Sequence, residues 1–240
     1  MHFSIIIPAY NEEKLLPECL KTIAKATPIF TQAGHTLETI VCDNNSTDQT
    51  SAVAQQLGAK VVFEPINQIA RARNTGASIA TGDFLIFIDA DSTPSETLFR
   101  ELLTALENPK IVGIGALVNM EVRQKRYFLV LHLWRIISRI FRWAPGSFVF
   151  CRRDLFQELG GFNTELYASE EIDFSKRYKK LAKKRGLRLT ILRAGIDTSN
   201  RKLHLYDRKY YQQLFLNYLR YGNKMLRDKS SLPIWYDGKR

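Results

Sequence analysis

The stretch "DFLIFIDADST", Asp83 to Thr93, decides the fold: five apolar residues, Phe84 to Ile88, run directly into two aspartates one residue apart, Asp89 and Asp91. A continuous apolar run of this length reads as a strand buried on both faces, as in a parallel sheet. Two ionised carboxylates at close quarters repel unless a cation or a shared proton relieves them. Strand ends of an open α/β sheet are where ligands sit. The ordinary alternative for an Asp-x-Asp pair is a solvated surface turn.

Outward from this stretch the first half alternates strand and helix. "HFSIIIPAY" (His2–Tyr10) reads as a strand stopped by Pro8, and "NEEKLLPECLKTIAKA" (Asn11–Ala26) as a helix with Leu15, Leu16, Leu20 and Ile23 on one face. "LETIVCDN" (Leu37–Asn44) is a second strand, "STDQTSAVAQQLG" (Ser46–Gly58) a helix stopped at Gly58, and "KVVFEP" (Lys60–Pro65) a third strand. "IARARNTGASIATG" (Ile69–Gly82) is the helix that returns to the opening strand. Short links between alternating elements imply an α/β fold with a mostly parallel sheet and helices on both faces. Pro8–Tyr10, Asp43 and Asp89–Asp91 all fall at the carboxyl ends of the strands.

The second half is less regular. Helix is expected over Pro94–Leu106, strand over Ile111–Val118, a basic amphipathic segment over Arg123–Trp143, and strand, short helix and a Gly-Gly turn over Gly146–Phe162. A long helix over Glu170–Lys184, a strand over Leu187–Arg193 and a helix near Asp207–Asp228 follow; the last carries Tyr211, Leu214, Phe215, Tyr218 and Leu219 at core spacing. With no internal repeat and no long linker, the 240 residues read as one domain, with a nucleotide-binding half over about 1–118, an acceptor-side half over about 119–206 and a helical extension over about 207–240.

Composition sets the class. Hydrophobic content of 45% with 25% charged residues is that of a globular chain. Three cysteines (Cys19, Cys42, Cys151), widely spaced in apolar contexts, fit buried thiols in a reducing compartment. No stretch approaches the roughly 18 apolar residues that span a bilayer, and no secretory leader is evident, so the expected location is cytoplasmic. The net charge of +11 is uneven: the first hundred residues are near neutral, while Arg123–Trp143, Lys176–Arg188 and the last forty residues hold most of the excess. Such a field attracts polyanions.

A magnesium or manganese ion takes oxygen ligands and completes its shell with substrate phosphates. At i and i+2 on a strand, Asp89 and Asp91 would point the same way and reach one such ion. Asp43 can accept a hydrogen bond from a base N–H, Tyr10 can stack on a base, and Arg73 can contact phosphate or orient the acids. Each also has a plain structural role: Asp43 as a helix cap before Ser46, Tyr10 at the core edge, Arg73 as a solvated charge.

Taken together, "SIIIPAYNEEKLLPECLKTI", "ETIVCDNNSTDQT", "ARARNTGASIATGDFLIFIDADS" and "GGFNTELYASEEIDFSKR" resemble, in order and separation, the family 2 glycosyltransferases, inverting enzymes of the GT-A fold. The likeness covers about Phe3 to Tyr178, roughly three quarters of the chain. It implies a metal-dependent transfer of a sugar from a nucleotide diphosphate donor, a UDP-sugar first among them, to an acceptor hydroxyl. It implies nucleotide contacts for Pro8, Tyr10, Glu12 and Asp43, diphosphate and metal contacts for Asp89 and Asp91, with Asp91 the direct ligand, and a place near the diphosphate for Arg73. The acceptor hydroxyl needs a general base, and the family carries Glu-Asp where this chain has Glu170-Glu171, followed by Asp173. Alignment gives Glu171 the base position; Glu170 stays open as the alternative, and Asp173 caps or positions the helix. Arg201, Lys202 and His204 stand where the family closes over the diphosphate, with His204 a candidate third metal ligand.

"RYFLVLHLWRIISRIFRW" carries Arg135, Arg139 and Arg142 at near-helical intervals among aromatic and aliphatic residues. A basic amphipathic helix of this kind suits an anionic membrane interface, and equally a helix packed beside the site with its arginines outward. The first reading places the enzyme peripherally on the inner face of a membrane, acting on a lipid-linked or surface acceptor. Two other classes were weighed by motif. A sugar-phosphate nucleotidyltransferase would carry a glycine-rich loop after the first strand, where "IPAYNEEK" has none. A nucleic-acid-binding module would place its basic residues in the strand-end cleft, which they avoid.

Overall fold

The computed structural model describes residues 1–120, 136, 138, 140, 141, 144, 146–201, 205, 206 and 208–237, with only the backbone of Arg208. Its strands are β1 (His2–Ala9), β2 (Thr36–Asp43), β3 (Lys60–Phe63), β4 (Phe84–Ile88), β5 (Ser92–Thr93), β6 (Ile111–Asn119), β7 (Phe148–Arg152) and β8 (Arg188–Thr198). They form one sheet in the order β3-β2-β1-β4-β7-β6-β8-β5. The first four are parallel throughout. β7 enters antiparallel between β4 and β6, β8 lies parallel to β6, and β5 closes antiparallel on β8. The helices are α1 (Leu16–Ala26), α2 (Pro28–Gln32), α3 (Thr50–Gln56), α4 (Ile69–Ser78), α5 (Glu96–Leu106), α6 (Arg153–Leu159), α7 (Glu170–Lys184), α8 (Arg208–Tyr221), α9 (Asn223–Leu226) and α10 (Pro233–Tyr236).

The opening run behaves as its composition requires. Successive side chains of a strand point to opposite faces, and both faces of β4 are covered. Ile86 and Ile88 join a core with Phe3, Ile5 and Ile7 of β1 under α1, α2 and α5. Leu85 and Phe87 join a second core with Ile6 under α4, α6 and α7. Phe87, Phe156, Phe162 and Phe174 pack edge-on, tilted and stacked in that second core. The three cysteines are buried and free.

Element ends shift where loops bond to each other. The helix expected from Asn11 starts at Leu16, because the Asn11 and Glu12 N–H groups donate to Ser46 Oγ (3.0 Å) and Thr50 Oγ1 (2.8 Å) instead of entering a helix. The helix expected from Ser46 starts at Thr50 for the same reason, with Asn11 and Asn45 both at positive φ. β1 runs through Pro8 to Ala9; its pairing with β4 ends at Ile6, so the missing proline N–H falls on a stretch paired on one side, where proline is tolerated. The expectation of a core helix over Asp207–Asp228 is corrected. Gly222, at φ 53°, breaks it into α8 and α9. Leu214 faces the small cluster of Ala168, Met225 and Leu232, while Phe215, Tyr218 and Leu219 are exposed. Most of Arg123–Trp143 lies outside the described residues.

Close approach of the loop after α4 to β1 depends on Gly82. A Cβ there would lie 2.7 Å from the Phe3 carbonyl carbon and the Ser4 nitrogen, both backbone atoms that cannot move aside. Gly82→Ala is expected to lower stability by roughly 1–3 kcal/mol through overpacking, read as a shift of the urea midpoint at unchanged slope.

Candidate active site

The carboxyl ends of β1, β2 and β4 open on one side of the sheet. Asp89 and Asp91 follow β4 in a turn, not in the strand itself: the Ser92 N–H donates to the Asp89 carbonyl (3.0 Å), and Ser92 then pairs with Thr198 of β8. The two carboxylates therefore leave from a turn and take different partners, contrary to the strand placement expected, while both line one cavity. Asp89 Oδ1 accepts from Arg73 Nη2 at 2.9 Å. Asp91 Oδ1 faces Thr198 Oγ1 (3.4 Å), and its Oδ2 lies 3.7 Å from Arg201 Nη2, which also donates to Glu12 Oε1.

Arg73 is not a solvated charge. Its side chain is 1% exposed and links three elements. Nη1 donates to Glu170 Oε1 (2.5 Å) at the start of α7, Nη2 donates to Asp89 and to the Gly146 carbonyl (3.1 Å), and the guanidinium sits 5.1 Å from the Phe162 ring centre. Its Nε is a buried donor with no partner among the described residues. The carboxylates of Asp89, Glu170 and Glu171 hold it firmly cationic against its own burial. Glu170 and Glu171 open α7, where the helix dipole favours acids. Both glutamates border the same cavity, but only Glu170 is taken up by Arg73. Burial first, and the Glu170 carboxylate second, push the Glu171 carboxyl up to about 8, against the opposing pull of Arg73. Asp173 turns away to Arg177 Nε (2.6 Å), whose guanidinium also ties down the Leu159 and Gly161 carbonyls, so it positions the helix.

Two cavities meet here. One of about 70 Å³ is lined by Pro8, Tyr10, Glu12, Asn44, Asp89 and Asp91 and roofed by Trp235 and Tyr236. The other, about 430 Å³, is bordered by Arg73, Asp89, Gly146, Glu170, Glu171 and Trp235. Asp43 lines neither; its Oδ1 accepts from the Ser46 N–H (3.0 Å), a loop bond and not the helix cap expected there, since α3 starts only at Thr50. His204 and Lys202 lie outside the described residues. Sequence reasoning missed Trp235, Tyr236 and Asn44. Nothing in "PIWY" marks it as a site segment. Asn44 had one signal, its place directly after a strand-end aspartate, and it crosslinks the loops by donating to the Ile66 carbonyl (2.7 Å) and accepting from the Gln68 N–H (2.8 Å).

Among the described residues no three His, Cys, Asp or Glu side chains converge as a metal-ion cage. The donors that remain are hard carboxylate oxygens of Asp91 and Asp89. Such a pair suits a cation that keeps waters and takes further oxygens from a bound phosphate.

Fold and site together define an α/β protein of the GT-A type, whose ligand cleft lies at parallel strand ends and is lined by acids. The sequence pattern described as "Glycosyl transferase family 2" matches residues 4–160, and the chain belongs to that family. It is 26% identical over 187 residues to glycosyltransferase AglE of Haloferax volcanii, covering 72% of this chain and 60% of AglE. It is 30% identical over 183 residues to a PGL/p-HBAD biosynthesis glycosyltransferase of Mycobacterium bovis, covering 73% of this chain and 68% of that one. Among solved structures, S. aureus TarS 1–349 superposes with a TM-score of 0.65 at 20% identity over 99% of this chain and 79% of its own, and has been solved with UDP and with UDP-GlcNAc. Glucosyl-3-phosphoglycerate synthase of Mycobacterium tuberculosis, in complex with Mn2+, UDP-glucose and phosphoglyceric acid, gives a TM-score of 0.61 at 20% identity over 85% of this chain and 73% of its own.

Removing one partner of a buried ion pair strands the other charge. Arg73→Ala is therefore expected to cost roughly 3–5 kcal/mol of stability, measured by chemical unfolding. The double variant Arg73→Met/Glu170→Met is expected to recover much of that loss.

Proposed function

We propose that this protein is a metal-dependent inverting glycosyltransferase that moves a sugar from a nucleotide diphosphate donor, a UDP-sugar first among them, to an acceptor hydroxyl. The observation that carries the reading is the shared cavity, in which a carboxyl with a raised proton affinity, Glu171, and the diphosphate-side acid, Asp89, border one space. The UDP complexes of these two structural relatives and the GDP-mannose complex of a mannosyltransferase of Pyrobaculum calidifontis support a nucleotide diphosphate donor, and the Mn2+ in two of the three supports the metal.

Pro8, Tyr10, Glu12 and Asn44 bind the nucleoside in this reading, and Asp43 shapes the loop beneath it. Pockets that hold whole ligands run to about 300–1,000 Å³, so the nucleotide needs more than the smaller cavity alone. Asp91, with Asp89, would hold a magnesium or manganese ion, whose charge stabilises the departing diphosphate. Arg201 leaves Glu12 and Asp91 for the phosphates as they enter. Glu171 accepts the proton of the acceptor hydroxyl, on the far side of the sugar from the leaving group. Glu170 serves as the anchor of Arg73 and not as the base. The acceptor class in this reading includes lipid-linked hydroxyls.

Titration calorimetry with UDP, GDP and dTDP in manganese, repeated in chelator, tests the donor side. Binding of one nucleotide that requires the metal and is lost in Asp91→Ala is expected; no binding by the native protein in any condition would sink the reading. A base must be unprotonated, so activity should climb with pH through about 8 as the Glu171 proton leaves. Glu171→Gln should cut turnover by roughly 100-fold or more and remove that limb, with nucleotide affinity unchanged.

A further inference from the structure

We infer that α8 is a membrane-docking helix that seats the protein on an anionic lipid surface. On its 14 residues, Phe215, Leu216, Tyr218, Leu219 and Tyr221 are 61, 57, 46, 65 and 51% exposed. At 3.6 residues per turn, Phe215, Tyr218 and Leu219 share one face and Leu216 adjoins it. The opposite side is already used: Leu214 packs on Ala168, Met225 and Leu232, and the Ile234 N–H donates to Tyr210 Oη (3.3 Å). An outward apolar face of this size on one helix marks an interaction surface.

Charge selects the occupant. From Arg208 to Lys229 the chain carries six lysines and arginines against one acid, Asp228, and α8 itself has no acid. Lys209 and Arg220 of α8, and Lys224 and Lys229 after it, are exposed. A second copy of this chain would bring the same cations face to face, whereas an anionic bilayer offers an apolar interior under a negative surface, with the tyrosines at the boundary. The same composition recurs outside α8: Ile136, Ile140 and Phe141, in the basic segment, are also exposed. No helix among the described residues is long and apolar enough to cross a membrane, so the attachment is interfacial.

The placement also serves the site. The Tyr167 N–H donates to the Leu226 carbonyl (2.7 Å), and Tyr236 Oη donates to the Tyr167 carbonyl (2.7 Å), three residues before Glu170. A membrane under α8 thus borders the elements that frame the larger cavity. This adds a location and a lipid-borne acceptor to the transferase reading and rests on it only for the acceptor; membrane binding itself is measured without any donor.

The test is flotation of the whole protein with vesicles of phosphatidylcholine alone and of phosphatidylcholine with phosphatidylglycerol. The native protein is expected to float with the anionic vesicles and not with the neutral ones. Phe215→Glu/Leu219→Glu should lower the floated fraction at least about fivefold, and Arg220→Glu/Lys224→Glu should lower it at low salt. Both variants change exposed side chains, so an unchanged melting temperature is expected. Flotation that ignores lipid charge, or that survives Phe215→Glu/Leu219→Glu, overturns the proposal. So does a lipid-free dimer, seen by sedimentation, that the same double variant dissociates.

Discussion

A single buried guanidinium holds the two halves of the cleft at a fixed separation. Arg73 takes Asp89 from the end of β4 and Glu170 from the start of α7, residues 16 and 97 positions away. Desolvating three charges is expensive, and their mutual attraction repays it only when the geometry is good and the remaining hydrogen-bonding atoms are satisfied. Here Gly146 adds a carbonyl acceptor, and Nε stays unpartnered among the described residues. An arrangement with a donor left over is a poor way to gain stability. It is a good way to keep the acid after β4 and the acid at the start of α7 in one register.

That constraint explains why two adjacent glutamates behave differently. Glu170 surrenders its carboxylate to Arg73, while Glu171, one residue on, meets the negative charge of its neighbour in a site of low polarity. Identical side chains at consecutive positions of a helix point about 100° apart, so of the two that border the cavity one reaches the cation and the other does not. The sequence alone kept both open as the base, because a helical register is needed to separate them, and so is the identity of the cation underneath.

Much of the architecture was legible for a simple reason. Burial on both faces of Phe84–Ile88, and the alternation of β1 residues between two cores, follow from periodicity and composition, which are local. The acids at strand ends follow from topology. Hidden features depend on contacts distant in sequence. Asn11–Ser46 and Glu12–Thr50 bonds move the starts of α1 and α3; Arg73, read as a phosphate contact or an orienter of the acids with a solvated charge as the alternative, becomes a core ion through Glu170. Trp235 and Tyr236 come from a segment without any motif and still roof the smaller cavity. In α8 the helical spacing of apolar residues was read correctly as a face and wrongly as a core face. Periodicity reports that a helix has an apolar side; it does not report what lies against it.

The distribution of charge reconciles a basic protein with an acidic cleft. Glu12, Asp89, Asp91, Glu170 and Glu171 converge on the cleft, and the cations nearest them, Arg73 and Arg201, are engaged with these same acids. An uncharged or anionic ligand gains little from such a place unless it arrives with a cation of its own, which is the condition a metal-bound diphosphate meets. Among the described residues, part of the surplus of +11 lies away from these acids, on surfaces such as α8 where lysine and arginine accompany exposed apolar side chains. Long-range attraction to an anionic surface acts there without competing for the acids of the site, since at physiological salt the field of one charge fades over about 8 Å. The fold thus keeps two electrostatic environments apart, one negative and enclosed, the other positive and open to whatever the apolar helix meets.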